Sequence, residues 1–171
     1  RGFAGAWETD EVMPRSVAAQ VFNDDPPAGT GSLPPMGAMR SSPTVAAGAE
    51  RLLLAWSEAG AGLRASTFSL ARPIGAAGPV LAVAEGGATD PRAVALSDGT
   101  FALVWSASGD IFARRLNAMG MPMAAAVRVN PNPADAQDQP TAAALPEGGL
   151  VVAWRDTARR GGRGGHQIGR A

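Results

Sequence analysis

The chain has 171 residues, and its fifteen cationic side chains, all arginine, are balanced by fifteen carboxylates, so no net field draws it to nucleic acid or to an anionic membrane. This length can bury a real core, while the absence of cysteine excludes disulfides, thiolate nucleophiles and cysteine-based zinc sites together. No run approaches the eighteen or more apolar residues of a membrane span; the longest, 52–56 and 150–154, have strand length, and the chain reads as soluble.

From the N-terminus, the first apolar run, Gly2-Phe3-Ala4-Gly5-Ala6, closes on Trp7. The same event recurs at Trp56, Trp105 and Trp154, each 49 residues after the last, behind Arg51-Leu52-Leu53-Leu54-Ala55, Thr100-Phe101-Ala102-Leu103-Val104 and Gly149-Leu150-Val151-Val152-Ala153. Continuous apolar runs of this length predict strands buried on both faces, here called B. After each Trp comes a second segment, Val17-Ala18-Ala19-Gln20-Val21-Phe22, Leu63-Arg64-Ala65-Ser66-Thr67-Phe68 and Ile111-Phe112-Ala113-Arg114-Arg115-Leu116, with a fourth beginning at Ile168; this is strand C. A weaker strand D is expected at 79–83 and 125–130, with a poor first copy near 31–36 because of Pro34 and Pro35.

Before three of the B strands lies a segment opened by proline, at 43–47, 91–96 and 140–145, which we read as strand A because proline is tolerated at a strand's first position. Ser97-Asp98-Gly99 and Pro146-Glu147-Gly148-Gly149 have hairpin-turn chemistry and join A to B. Helical readings fail, since 14 prolines and 22 glycines punctuate the chain and no capped 3.6-residue apolar period appears. Four short antiparallel strands per repeat of 40 to 50 residues predict an all-β fold of β-propeller blades. The repeats fall at 1–40, 41–89, 90–138 and 139–171 within a single propeller segment. The strand order BCD, ABCD, ABCD, ABC amounts to about three and a half blades. We therefore expect part of a larger ring, completed by remaining blades or by other copies of the chain. Arg1 opens it without an initiating Met or a signal-peptide progression, which fits a fragment or processed product.

Residues 110–122, followed by Val127-Arg128-Val129-Asn130, Gln139-Pro140-Thr141-Ala142-Ala143-Ala144-Leu145 and 148–154, carry a family likeness. They resemble the roughly 50-residue repeats of large secreted bacterial proteins, which read D-I-Y/F-A-Q-R-F/L-D-x-x-G-x-P, then V-N, then Q-x-x-P-x-V-A-x-L, then G-G-F-V-V-x-W. The match covers the third repeat and the start of the fourth and implies a propeller-type repeat without a specific activity. Such repeats often accompany hemolysin-type calcium modules, but no glycine-rich calcium nonapeptide occurs here, so the resemblance brings no cofactor. Arginine-only cations and abundant Ala and Gly point to a GC-rich bacterial source. With the missing cysteine, they place the protein outside the cell or on its surface.

Candidate sites are few. The four tryptophans, Trp7, Trp56, Trp105 and Trp154, could form a stacking array for sugars; closing apolar strands as they do, they are assigned to the structural core. The B to C and D to A loops share one rim, and the gap after each Trp varies, so ligands are expected there. Arg155, Arg159, Arg160 and Arg163 in the last of these loops could bind a polyanion, against the simpler reading of a solvated glycine-rich loop. Asn23-Asp24-Asp25 and the stretch containing Asp135 and Asp138 could offer oxygens to calcium, but lack a ligand register. The lone His166 has no evident partner for a triad or zinc site. The Asp-box of sialidase-like propellers, Ser-x-Asp-x-Gly-x-x-Trp, is not matched, because Ser97-Asp98-Gly99 lies six residues before Trp105. The expected function is non-catalytic binding of protein or glycan, as in adhesion, with no cofactor. A fragment of a glycan hydrolase and a polyanion-binding module are the alternatives.

Overall fold

A computed structural model describes residues 3–9, 16–22, 30–32, 38–71, 77–133, 135–157 and 165–170, and the description that follows is confined to these. The protein is all-β. Four antiparallel sheets follow one another along the chain. The first contains β1 (Phe3–Thr9), β2 (Ser16–Phe22) and β3 (Thr30–Ser32), and the second β4 (Arg40–Ala47), β5 (Arg51–Glu58), β6 (Gly62–Ser69) and β7 (Leu81–Ala84). The third contains β8 (Thr89–Ala95), β9 (Phe101–Ala107), β10 (Asp110–Leu116) and β11 (Val127–Arg128), and the fourth β12 (Gln137–Ala144), β13 (Leu150–Asp156) and β14 (Gly165–Arg170). The strands thus run BCD, ABCD, ABCD, ABC, which is a partial β-propeller. Among the described residues no helix is long and apolar enough to cross a membrane.

The B strands β5 and β9, second from the inner edge of their sheets, present alternate residues to the two neighbouring blades. Leu52, Leu54 and Trp56 of β5 pack on Val17 and Ala19 of the first blade. Phe101, Leu103 and Trp105 of β9 pack on Leu53, Ala55, Leu63 and Ala65 of the second, and Leu150, Val152 and Trp154 of β13 on Ala102, Val104, Ile111 and Ala113 of the third. The 49-residue period therefore builds three apolar seams between four blades. Trp56, Trp105 and Trp154 are buried in them. The assignment of Trp7 to the core needs correction, because it is 39% exposed and Phe3, one strand face along, is 68% exposed. In the other three blades the Trp faces the blade before it, whereas among the described residues no blade covers Trp7.

The A strands lie at the inner edge of their sheets, where β4 packs beside β8 and β8 beside β12. Between them, the Ala93 amide donates to Thr44 Oγ1 at 3.0 Å. These strands begin earlier than the prolines suggest. Each contains a bulge, between Ser41 and Thr44, Thr89 and Arg92, and Asp138 and Thr141. The residue before each proline is left-handed: Ser42 at φ 50°, Asp90 at 51° and Gln139 at 49°. A proline ring is accommodated because the bulge interrupts the ladder where its missing N–H would otherwise have to donate. The D strands are the weakest element, β11 being two exposed residues.

Candidate functional site

Antiparallel order places the B–C turns and D–A segments on one rim and the A–B and C–D turns on the other. On the first rim, the B–C connections of the two central blades are short. Ser108 and Gly109, at φ 53° and 83°, form a two-residue turn with both centres left-handed, and only Ala59, Gly60 and Ala61 separate β5 from β6. Strands B and C run on past the Trp, so the variable gaps seen in the sequence are largely strand in these blades. The D–A segments, 85–88 and, among the described residues, 129–133 and 135–136, form more of this rim.

The residue three positions before each inner-strand proline, at or just before the start of the strand, is buried: Arg40, Ala88 and Gln137. Arg40 is 1% exposed, with its guanidinium carbon 5.1 Å from the Trp56 ring centroid, Nη1 3.3 Å from Ser16 Oγ and Nε 3.5 Å from Glu58 Oε2. Glu58 also faces Arg64 Nε at 3.6 Å, and Arg64 Nη1 reaches Glu85 at 3.7 Å. Stacking on an indole and pairing with a carboxylate are what allow a guanidinium to be buried. In the fourth blade, Gln137 fills the equivalent place and accepts from Asn130 Nδ2 at 2.8 Å. Asn130 is the hub of the loop before it. Its Oδ1 accepts from the Ile111 amide at 2.8 Å, and its Nδ2 shares two hydrogens among Gln137, Asp110 Oδ1 at 2.7 Å and the Asn132 carbonyl at 2.8 Å.

Ala88 in the third blade is too small to fill the space that Arg40 and Gln137 occupy in theirs. There a cleft of about 440 Å³ opens between the second and third blades, lined by Arg40, Ser41, Ser57, Glu58, Gly60 and Thr89 among others. Its wall is largely apolar, with the exposed residues Ser41 and Thr89 and the Glu58 carboxylate set around glycine backbone, while the buried Arg40 guanidinium is already taken up by Trp56, Ser16 and Glu58. A largely apolar wall with a few polar groups at its edge suits a neutral ligand with apolar faces and hydroxyl groups better than a strongly charged one.

The expected arginine site is only partly within the described residues. Arg155 is exposed on this rim and clamps Asp138 with two bonds, Nε to Oδ1 at 2.7 Å and Nη2 to Oδ2 at 2.5 Å. That hydrogen bond and charge hold the Asp138 carboxyl below its ordinary range and raise Arg155 above its own. Arg159, Arg160 and Arg163 lie outside the described residues, as do Asp24 and Asp25. His166 lies in β14, paired through the backbone with Arg155. Among the described residues no group of three or more His, Asp or Glu side chains is placed to hold a metal ion. Sequence reasoning missed Arg40, Ala88 and the cleft. Aligning the repeats on their prolines would have brought the three buried positions into one column.

No known family profile matches the chain, and no curated protein sequence does. Solved structures resemble it at low identity. A GH43 protein of the Bacteroides ovatus xyloglucan locus aligns with TM-score 0.65 and 15% identity over 99% of this chain and 36% of its own. A protein of unknown function from Dyadobacter fermentans aligns at 0.64 and 15% over 98% and 49%. An endo-arabinase from Bacteroides thetaiotaomicron aligns at 0.57 and 16% over 98% and 70%. At these identities the likeness is one of fold, and the chain spans between about a third and a half of the first two proteins.

Proposed function

We propose that this chain is a binding segment of a larger, secreted or surface-exposed bacterial β-propeller, taking a neutral glycan at the rim of its D–A segments and B–C turns. The observation that carries the reading is the cleft opened by Ala88, with Ser41, Ser57, Glu58 and Thr89 around it. The glycan-active names of similar propellers, a GH43 protein and an endo-arabinase, support a saccharide as the ligand class. A non-catalytic role is favoured by Asp138, whose carboxyl the Arg155 clamp holds below its ordinary range, whereas a general acid must keep its proton near neutral pH. The 49-residue period fits the roughly 50-residue repeats of the large secreted bacterial proteins that the third repeat resembles.

The second reading is a glycan hydrolase whose other catalytic groups come from further blades. Asp90 is the feature in its favour, since it puts a carboxylate at the left-handed bulge position that Ser42 and Gln139 hold in the other blades. The experiment is a glycan array and a panel of glycosidase substrates applied to the full-length native protein. Glycan binding without turnover, weakened by Ala88→Gln, is expected; turnover of any substrate, lost in Asp90→Asn, would establish the hydrolase instead. A polyanion-binding role for Arg155, Arg159, Arg160 and Arg163 predicts retention on heparin that disappears when the last three become alanine.

A further inference from the structure

The other rim carries a feature that glycan binding does not use. Three of the six methionines fall within five residues of the C–D turn of the third blade, Met119-Gly120-Met121-Pro122-Met123. Methionine is ordinarily among the more buried residue types, yet these are 44%, 48% and 56% exposed. The turn that carries them is held in place. Asn117 Oδ1 accepts from the amides of both Met119 and Met121, at 2.9 and 3.0 Å, and the Asn117 amide donates to the Met121 carbonyl at 2.9 Å. The Met123 amide donates to the Arg115 carbonyl at 3.0 Å, and Arg114 Nε to the Ala124 carbonyl at 2.6 Å. Gly120, at φ +80°, sits against the second blade so closely that a Cβ there would lie 3.1 Å from Thr67 Cγ2. The inner side of the turn is thus pinned to protein, and the methionines flanking Gly120 remain exposed to solvent.

We infer that Met119, Met121 and Met123 form a binding site for a soft, monovalent metal cation, with Cu(I) as the fitting ion. The amides of Met119 and Met121 share one acceptor atom, which brings these two residues together at the turn. Pro122 bridges Leu116 in antiparallel register, so Met121 and Met123 flank it on an extended stretch, where alternate residues share a face and their Cα atoms are about 7 Å apart. Three rotatable bonds let thioethers at that spacing converge on one ion. Neutral thioether sulfur selects Cu(I) over hard divalent cations, which prefer oxygen, and over Zn(II), which prefers thiolate and imidazole. Of the two nearby guanidinium groups, Arg115 is paired with Asp98 and Arg114 donates to the Ala124 and Val83 carbonyls, so both are held by protein groups. Binding moves no proton, because a thioether has none to lose, and this separates the site from any histidine or carboxylate site, whose affinity falls in acid.

The test is an anaerobic titration of the full chain with Cu(I) against a chromogenic Cu(I) chelator at pH 7 and at pH 4.5, with Ag(I) as a redox-inert check. Methyl-labelled methionine NMR follows all six thioethers. One equivalent should bind at both pH values, with shifts confined to three methyl signals. The triple variant Met119→Leu, Met121→Leu, Met123→Leu, which keeps side-chain volume at exposed positions and so keeps the fold, should lose that equivalent. Retention of the equivalent by the triple variant, loss of binding between pH 7 and 4.5, shifts at Met13, Met36 or Met39 instead, or no binding at all would each overturn the inference.

Discussion

Single side chains on the rim divide into those already committed and those that leave space. Asp138 is committed: Arg155 lowers its carboxyl below the ordinary 3.8, so the pair's contribution is present at neutral pH and disappears as pH falls through that depressed value. An NMR titration of the Asp138 carboxyl should give a midpoint below 3.8, returning towards 3.8 in Arg155→Ala. A midpoint unmoved by that substitution would mean the clamp does not form in solution. Arg155 is therefore a weak candidate for gripping a polyanion, since its guanidinium already serves a carboxylate. Ala88 is the opposite case. Because Gln137 occupies the equivalent buried place in the next blade, Ala88→Gln should fold and fill the cleft. Glycan affinity should drop at least about tenfold, roughly 1.4 kcal/mol, with the melting temperature little changed. Unaltered affinity in isothermal titration would move the ligand away from this cleft. Sequence alone could not single out Arg40, because an arginine is expected at the surface and only the fold sets it over Trp56.

At the level of strands, what was legible followed burial. The B strands are sandwiched between blades and so appear as unbroken apolar runs that the tryptophans punctuate at a fixed spacing. The D strands are outermost, and β11 has two residues, both exposed, leaving no pattern to read. The inner strands were found but misjudged at their starts, since a proline looks like a beginning when the bulge that shelters it cannot be seen in one dimension. That bulge forces Gln139 to φ 49°. A left-handed non-glycine residue costs on the order of 1 kcal/mol or more. Gln139→Gly should therefore stabilise the chain by up to about 1 kcal/mol, the relief being partly offset by the greater freedom of glycine when unfolded. Urea unfolding would measure it, and a destabilised variant would show that the Gln139 side chain does more for the bulge than its backbone strain costs.

For the molecule as a whole, the seams decide what the chain can be. A seam needs the Trp-bearing face of one B strand and the opposite face of the blade before it. Three seams are complete in this chain. Phe3, Gly5 and Trp7 form the fourth such face, occupying the positions that Leu52, Leu54 and Trp56 or Phe101, Leu103 and Trp105 hold one and two periods later. We propose that another blade covers it, either from the rest of the native protein or from a second copy. The two aromatics on this face are then latent core. In the isolated chain Trp7→Ala should cost about 1 kcal/mol or less, as at a surface position, while Trp105→Ala, which empties a seam, should cost about 3–5 kcal/mol. With the missing blade in place, the cost of Trp7→Ala should rise towards that of Trp105→Ala. Chemical denaturation of the chain alone and of the full-length protein makes the comparison. If Trp7→Ala costs the same in both, the Phe3–Trp7 face is not a seam, and the ring is closed by some other geometry.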